Sequence, residues 1–209
     1  MQVPYRLPGS QYVQWVDIYT RMAFERIVFI DEEINDSFAN FVVALMLSLN
    51  SEDATKPIYV YINSPGEVEG QGVSSIVASL AIYDTIQHIK APVHTICLGQ
   101  ASGTAAMLLS SGTKGSRLCL PNAEIVLAQQ YGLSRGQATD IQVDAKKVVA
   151  DRAKFVEILA KNTGQTAEKV AKDIDRRFYF TPQTAQEYGL IDRVLQSPKE
   201  LPKPIPVSV

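Results

Sequence analysis

Ser64, Ser102, His88, His94 and Lys114 are the side chains in this sequence whose types could serve nucleophilic catalysis. A serine attacks a carbonyl only when a base takes its proton and a third group orients that base. Ser102 stands in Gly99-Gln-Ala-Ser-Gly103, a sharp turn between an apolar strand and a short helix of small residues. Hydrolases use such a turn to hold a serine above the end of a sheet, with a helix N-terminus behind it to stabilise negative charge. Here the apex is Gly103, which has no side chain. One residue's shift on a tight turn redirects a side chain by a large angle, so Ser102 reads as a turn hydroxyl bonded to backbone. Ser64, in Ser-Pro-Gly, reads the same way. His88 falls in a helix, and His94 opens the strand before the turn, at the opposite end of the sheet from Gly103. Both read as structural histidines. Lys114 lies past the helix, and a Ser102–Lys114 pair stays open on spacing alone.

The elements around this turn follow from periodicity and punctuation. Residues 26–31 (Arg-Ile-Val-Phe-Ile-Asp) read as a buried strand, and Asp36 as the cap of a helix with Phe38, Phe41, Val42, Leu45, Met46 and Leu49 at helical spacing. Residues 58–62 are a second strand, ended by the turn Asn63-Ser-Pro-Gly66 at the carboxyl edge, where open α/β sheets place their sites. Glu67 to Gly72 reads as loop and Val73 to Lys90 as helix. A strand over 93–98 leads into the turn, and a helix over 104–110 leaves it. Short strands are expected at 117–120 and 124–129, then a glycine-bounded loop at 132–136. The longest helix is expected over 137–163, stopped by Gly164, with Ile141, Val148, Phe155, Ile158 and Leu159 as its stripe. That helix is longer than one core needs and is expected to project. Helices at 166–175 and 181–189 and a strand at 191–195 complete the pattern. The organisation reads as a mobile arm (1–16), one α/β domain (17–196) and a proline-rich tail (197–209). Trp15 and Tyr5, Tyr12 and Tyr19 give the arm apolar surface that must pack on the body or on another subunit.

With 209 residues, 46% hydrophobic and 20% charged, the chain has material for one sizeable core. A formal net charge of -2 offers no electrostatic reason to bind nucleic acid or an anionic membrane. No apolar run spans a bilayer, and the first residues lack the basic and apolar regions of a signal peptide. No evident transit peptide is read either. The two cysteines, Cys97 and Cys119, lie in strand-like runs and read as buried thiols. No zinc-ligand spacing occurs, and neither metal nor cofactor is expected.

Several stretches together resemble the Clp protease proteolytic subunit family, ClpP, over roughly residues 15 to 196. They are DIYTRMAFERIVF (17–29), PIYVYINSPG (57–66), AIYDTIQHIKAPVHTICLGQAS (81–102), GTKGSRLCLPNA (112–123), GQATDI (136–141) and EYGLIDRV (187–194). The resemblance implies the ClpP/crotonase-like α/β fold, a superhelix of ββα units with a long projecting helix. It also implies seven-membered rings stacked in pairs around a chamber that an ATP-driven unfoldase feeds with polypeptide.

In the family the turn reads like GQAASM, and its serine is the nucleophile; the matching position here is Gly103. The family's catalytic histidine maps to Ala128, in Val126-Leu-Ala-Gln-Gln130, and its aspartate to Arg177, in Asp175-Arg-Arg-Phe-Tyr179. The resemblance therefore implies that nucleophile, base and orienting acid are all absent. The oxyanion region is altered too, reading Ser64-Pro-Gly66-Glu67 with Thr104 after the apex, and Glu67 to Leu80 reads as longer than is typical. The pattern is similar to the inactive ClpR-type paralogues of cyanobacteria and plastids. These share mixed rings with catalytic ClpP and serve a ClpC-like unfoldase, which implies the cyanobacterial cytoplasm or the plastid stroma. Arg135, Gln137 and Asp140 match the family's ring-to-ring contact, and Tyr59 and Tyr61 its surface aromatics that receive the unfoldase. Two other readings stay open: a weak serine peptidase using Ser102, and a crotonase-like coenzyme A thioester enzyme using Glu67 or Glu69.

Overall fold

Two short strands, β1 (Gln2–Arg6) and β2 (Val13–Asp17), pair antiparallel, with Pro4 opposite Trp15. This comes from a computed structural model that describes residues 1–6, 12–67, 76–128, 134–197 and 200–202. Residues 1–16, expected as a mobile arm, thus contain a hairpin. Its backbone pairing is non-local and leaves no periodic trace in the sequence. Tyr5 stacks on Phe24 at 4.8 Å and lies under the Arg21 guanidinium, so this ring packs back on the body.

Asp17 caps α1 (Ile18–Phe24) by accepting from the Tyr19 N–H, and β3 (Ile27–Ile30) follows. The cap of α2 (Asp36–Glu52) is Asn35, not Asp36 as expected; its side chain accepts from Phe38 N. Ala39, Val42, Met46 and Leu49 form the buried stripe of α2, whereas Phe41, expected within it, is exposed. Then come β4 (Ile58–Ser64), α3 (Val77–His88), β5 (Val93–Ser102), α4 (Thr104–Ser110), β6 (Arg117–Cys119) and β7 (Glu124–Leu127). The chain ends with α5 (Ala138–Thr163), α6 (Ala167–Asp173), β8 (Phe178–Phe180), α7 (Pro182–Tyr188) and β9 (Arg193–Val194).

Strands β3, β4, β5, β6 and β9 pair side by side in that order, all in parallel. β7 extends the sheet by pairing with the last residues of β5, and β8 adds an antiparallel strand to β7. β4 and β5 are buried on both faces along most of their length, as the continuous apolar runs of a parallel sheet require. The main core joins β3–β5 to α2, α3, the wholly buried α4 and the last turns of α5. A smaller cluster of Tyr59, Ile96, Leu118 and Leu195 is separate from it.

Local capping signals bound the last three helices. Thr166 and Thr181 cap α6 and α7, Pro182 stands at the first position of α7, and Gly164 and Gly189 close α5 and α7 in the left-handed conformation. In α5 the buried residues are Asp151, Phe155, Val156, Leu159 and Asn162, while Ile141, Val143 and Val149 are exposed. Only the second half of that helix is covered by the body, which is the form a projecting helix takes. Of the expected loops, residues 68–72 and 132–133 lie outside the described residues, and so do 198–199 and 203–209 of the tail.

Candidate functional site

β5 does not stop at Leu98, as the glycine at 99 suggested, but runs to Ser102. The pairing between β4 and β5 shifts between Ile62 and Ser64, and Asn63 Oδ1 accepts from the Gln100 N–H across that irregularity at 3.1 Å. β7 then pairs with Gln100, Ala101 and Ser102. The whole reversal from strand to helix therefore falls on Gly103, which has φ +54° and ψ −119°. A residue with a Cβ enters such a region only under strain of about 1–3 kcal/mol. The Gly103 N–H donates to the Val126 carbonyl at 2.9 Å, which fixes the elbow against β7.

Two registers bring the remaining positions to this elbow. Ser102 lies opposite Val126 on β7, and Leu127 lies opposite Phe178 on β8. Continued by one residue past the end of β7 and the start of β8, the same register sets positions 128 and 177 side by side near the Gly103 elbow. Positions 103, 128 and 177 therefore converge at the carboxyl end of β5 and β7, where α/β sheets carry their sites. Ala128 is half-buried and Arg177 is exposed. The other acidic candidate, Asp175, is 70% exposed with its carboxylate 3.7 Å from Arg152 on α5, so it turns toward another group.

The wall opposite the elbow is the Ser64–Glu67 turn. Ser64 is fully buried; its hydroxyl donates to the Glu32 carbonyl at 2.6 Å and accepts from the Gly66 N–H at 3.1 Å. Ser64 is thus a turn former. Gly66 has φ +93°, and a Cβ there would lie 2.5 Å from the Ser102 carbonyl oxygen, so only glycine lets the turn close on β5. The Gly66 carbonyl accepts from Ile34 N at 2.7 Å, and Ile34 forms an isolated bridge with Glu67. The Glu67 carboxylate points at the elbow: among the described residues, chain neighbours aside, its Oε2 is the one heavy atom within 4 Å of a Cβ built on Gly103, at 3.8 Å. Thr104, the first residue of α4, is fully buried, and its hydroxyl has no hydrogen-bond partner among the described residues. Residues 68–75 of the long segment after Glu67 lie outside the described residues; its end, Val77 to Leu80, begins α3.

Neither histidine approaches the elbow. His88 ends α3, and His94 is eight residues before Ser102 along β5, roughly 26 Å at the usual strand rise. His94 packs edge-on against Tyr59 at 5.2 Å, and burial lowers its pKa. The Lys114 ammonium donates to the Asn162 carbonyl near the end of α5, past the far end of α4. The spacing left a Ser102–Lys114 pair open; the structure does not bring the two together. Cys97 and Cys119 face each other across β5 and β6, both fully buried. The contact with Cys119 and burial push the Cys97 thiol up, so it stays neutral.

Tyr59 is only 6% exposed within the small cluster beside Ile96 and Leu118, so it is not the surface aromatic that was expected. Tyr61 is half-buried and pairs with Phe29 at 6.5 Å. Arg135, Gln137 and Asp140 are exposed together at the amino end of α5, on its uncovered half. Among the described residues no three His, Cys, Asp or Glu side chains gather as a metal site, and no helix is long and apolar enough to cross a membrane. Sequence reasoning missed β8, the strand that carries position 177 to the elbow. Its signal was Phe178-Tyr-Phe180, an aromatic run bounded by charges and Thr-Pro.

A mostly parallel sheet with a strand–elbow–helix at the carboxyl end of its central strand defines an α/β protein. The chain belongs to the Clp protease family, whose sequence pattern matches residues 9–198. It is 51% identical over 199 residues to ATP-dependent Clp protease proteolytic subunit 3 of Synechococcus sp. (strain CC9902), covering 95% of this chain and 96% of the relative. It is 49% identical, with the same coverage, to ATP-dependent Clp protease proteolytic subunit 2 of Prochlorococcus marinus (strain NATL2A).

Proposed function

We propose that this chain is a non-catalytic, ClpR-type subunit of a Clp protease, seated in mixed rings beside catalytic ClpP subunits. What carries the reading is the convergence of Gly103, Ala128 and Arg177 at the elbow. Glycine cannot attack, alanine cannot accept a proton, and a guanidinium repels the imidazolium that an aspartate would stabilise. No histidine replaces the missing base from elsewhere, since His88 and His94 both lie away from the elbow. Among the described residues Ser102 then has no activating partner.

The retained parts suit a structural role. Closed rings need every seat filled by a compatible surface. The uncovered half of α5, with Arg135, Gln137 and Asp140 at its start, supplies a ring-to-ring surface, and the aromatic edge around Tyr61 supplies an unfoldase contact. A ClpC-like AAA+ unfoldase delivers polypeptide to the shared chamber, in the cyanobacterial cytoplasm by likeness to the cyanobacterial relatives; the plastid stroma is the other compartment implied. Fewer cutting sites per chamber then slow proteolysis and lengthen its products.

The test uses the unsubstituted full chain, purified free of sister subunits. A serine-directed fluorophosphonate probe is expected to leave it unlabelled, and it is expected not to cleave peptides. Labelling of Ser102, or cleavage by this chain alone, overturns the reading. Mass measurement of the intact complex from native extract is expected to show this chain together with a catalytic subunit.

A further inference from the structure

We infer that Glu67 is a second block at the elbow, independent of the three replaced positions: its carboxylate occupies the space into which a nucleophile on residue 103 would project. This rests on reading position 103 as the vacated nucleophile seat.

The geometry is specific. Among the described residues, chain neighbours aside, a Cβ placed on Gly103 meets one heavy atom within 4 Å, Glu67 Oε2 at 3.8 Å. A serine hydroxyl reaches one bond beyond its Cβ. In the rotamer facing Glu67, its oxygen comes within the 2.5–3.0 Å of an O–H···O hydrogen bond. The serine proton is then held by a carboxylate on the opposite wall and turned away from any base at position 128. Glu67 Oε2 is also shielded from solvent. A negative charge in that position opposes the oxyanion that forms during attack on a carbonyl, and in a water-poor site the opposition is stronger than at a surface.

The carboxylate is also delivered by a stiff segment. Gly66 is pressed against the Ser102 carbonyl so closely that a Cβ would lie at 2.5 Å. Its own carbonyl is held by Ile34 N at 2.7 Å, and its N–H by the buried Ser64 hydroxyl. The backbone from Ser64 to Glu67 is therefore tied to β5 on one side and to the Ile34 loop on the other. Restoring serine, histidine and aspartate at 103, 128 and 177 leaves this carboxylate in place. Recovery of a reactive serine requires its removal as well.

The experiment compares full-length chains carrying Gly103→Ser, Ala128→His and Arg177→Asp with the same chains carrying Glu67→Gly or Glu67→Gln in addition. The readout is the rate of fluorophosphonate labelling at residue 103, located by peptide mapping. The Glu67→Gly form is expected to label about 100-fold faster than the form that keeps Glu67, as for a gained or lost oxyanion interaction. Glu67→Gln, which keeps the bulk and loses the charge, is expected between them. Equal labelling with and without Glu67 overturns the inference, and so does absence of labelling in a folded Glu67→Gly form. Labelling of the unsubstituted chain sinks instead the reading of position 103 as vacant. If the triple replacement does not fold, a thermal double-mutant cycle on Gly103→Ser and Glu67→Gly reads the same contact. Melting shifts that depart from additivity by more than about 2 °C support it, at the usual scale for domains of this size; additive shifts overturn it.

Discussion

Gly103 and Gly66 both hold positive φ, yet a methyl group should cost very different amounts at the two positions. At Gly103 an alanine Cβ meets only a carboxylate oxygen at 3.8 Å, ordinary van der Waals contact. The cost is then conformational: about 1–3 kcal/mol for a non-glycine residue in that region, less roughly 0.4–1 kcal/mol regained from the stiffer unfolded chain. A net loss of about 1 kcal/mol lowers the melting temperature of a domain this size by about 2–4 °C. At Gly66 the same φ penalty applies, and the Cβ falls 2.5 Å from a backbone oxygen of the central strand. That atom cannot rotate away, so the turn or β5 must shift, at a cost on the order of 3 kcal/mol or more. Gly66→Ala should therefore melt at least about 4 °C below Gly103→Ala, measured by calorimetry on full chains at equal protein concentration. Equal shifts, or a larger loss for Gly103→Ala, would refute the claim that the elbow admits a Cβ while the Gly66 turn does not.

Two further outcomes follow from buried polar groups. Arg117 is buried, with a bidentate pair to Asp192 at 2.6 and 2.9 Å, and it donates to the Ser110, Asn162 and Gly189 carbonyls. Burial alone would raise the Asp192 carboxyl, but hydrogen bonds and charge from Arg117 outweigh it and hold the pKa below its ordinary value. A depressed folded pKa stabilises above the unfolded pKa of about 3.9 and is lost as pH falls through the folded value. Asp192→Asn should cost about 3 kcal/mol near pH 7, and its melting curve should converge on that of the parent only in acid; a gap constant from pH 7 down to pH 2 refutes this. Thr104→Val removes a buried hydroxyl without a partner among the described residues. It should raise the urea midpoint, by about 1 kcal/mol of stability, and a fall in the midpoint would show that the hydroxyl is bonded after all.

Much of this molecule was legible from sequence, because its determinants are local. Threonine caps, a proline at the first turn and left-handed glycines bound α5, α6 and α7 within a residue or two, since each acts on backbone groups three or four residues away. The apolar runs of β4 and β5 and the small, wholly buried α4 were equally plain. The resemblance to the family, carried residue by residue into the segments between its six stretches, pointed to positions 103, 128 and 177 before any geometry.

What sequence could not determine depends on partners distant along the chain. β5 continues through Gly99 to Ser102 because β7 supplies hydrogen bonds there, although glycine and glutamine at 99 and 100 argue locally for a turn. The three residues of β8 are a strand only because β7 is beside them, and the register of that pairing, continued by one residue, brings position 177 next to position 128. Phe41 keeps helical spacing yet faces outward, since periodicity shows a stripe but not its edges. In the sequence Glu67 read as an alteration of the oxyanion region or as a candidate thioester carboxylate, with no direction for its side chain. Only the tertiary structure, in which Gly66 closes on Ser102, puts the Glu67 carboxylate 3.8 Å from a Cβ on Gly103.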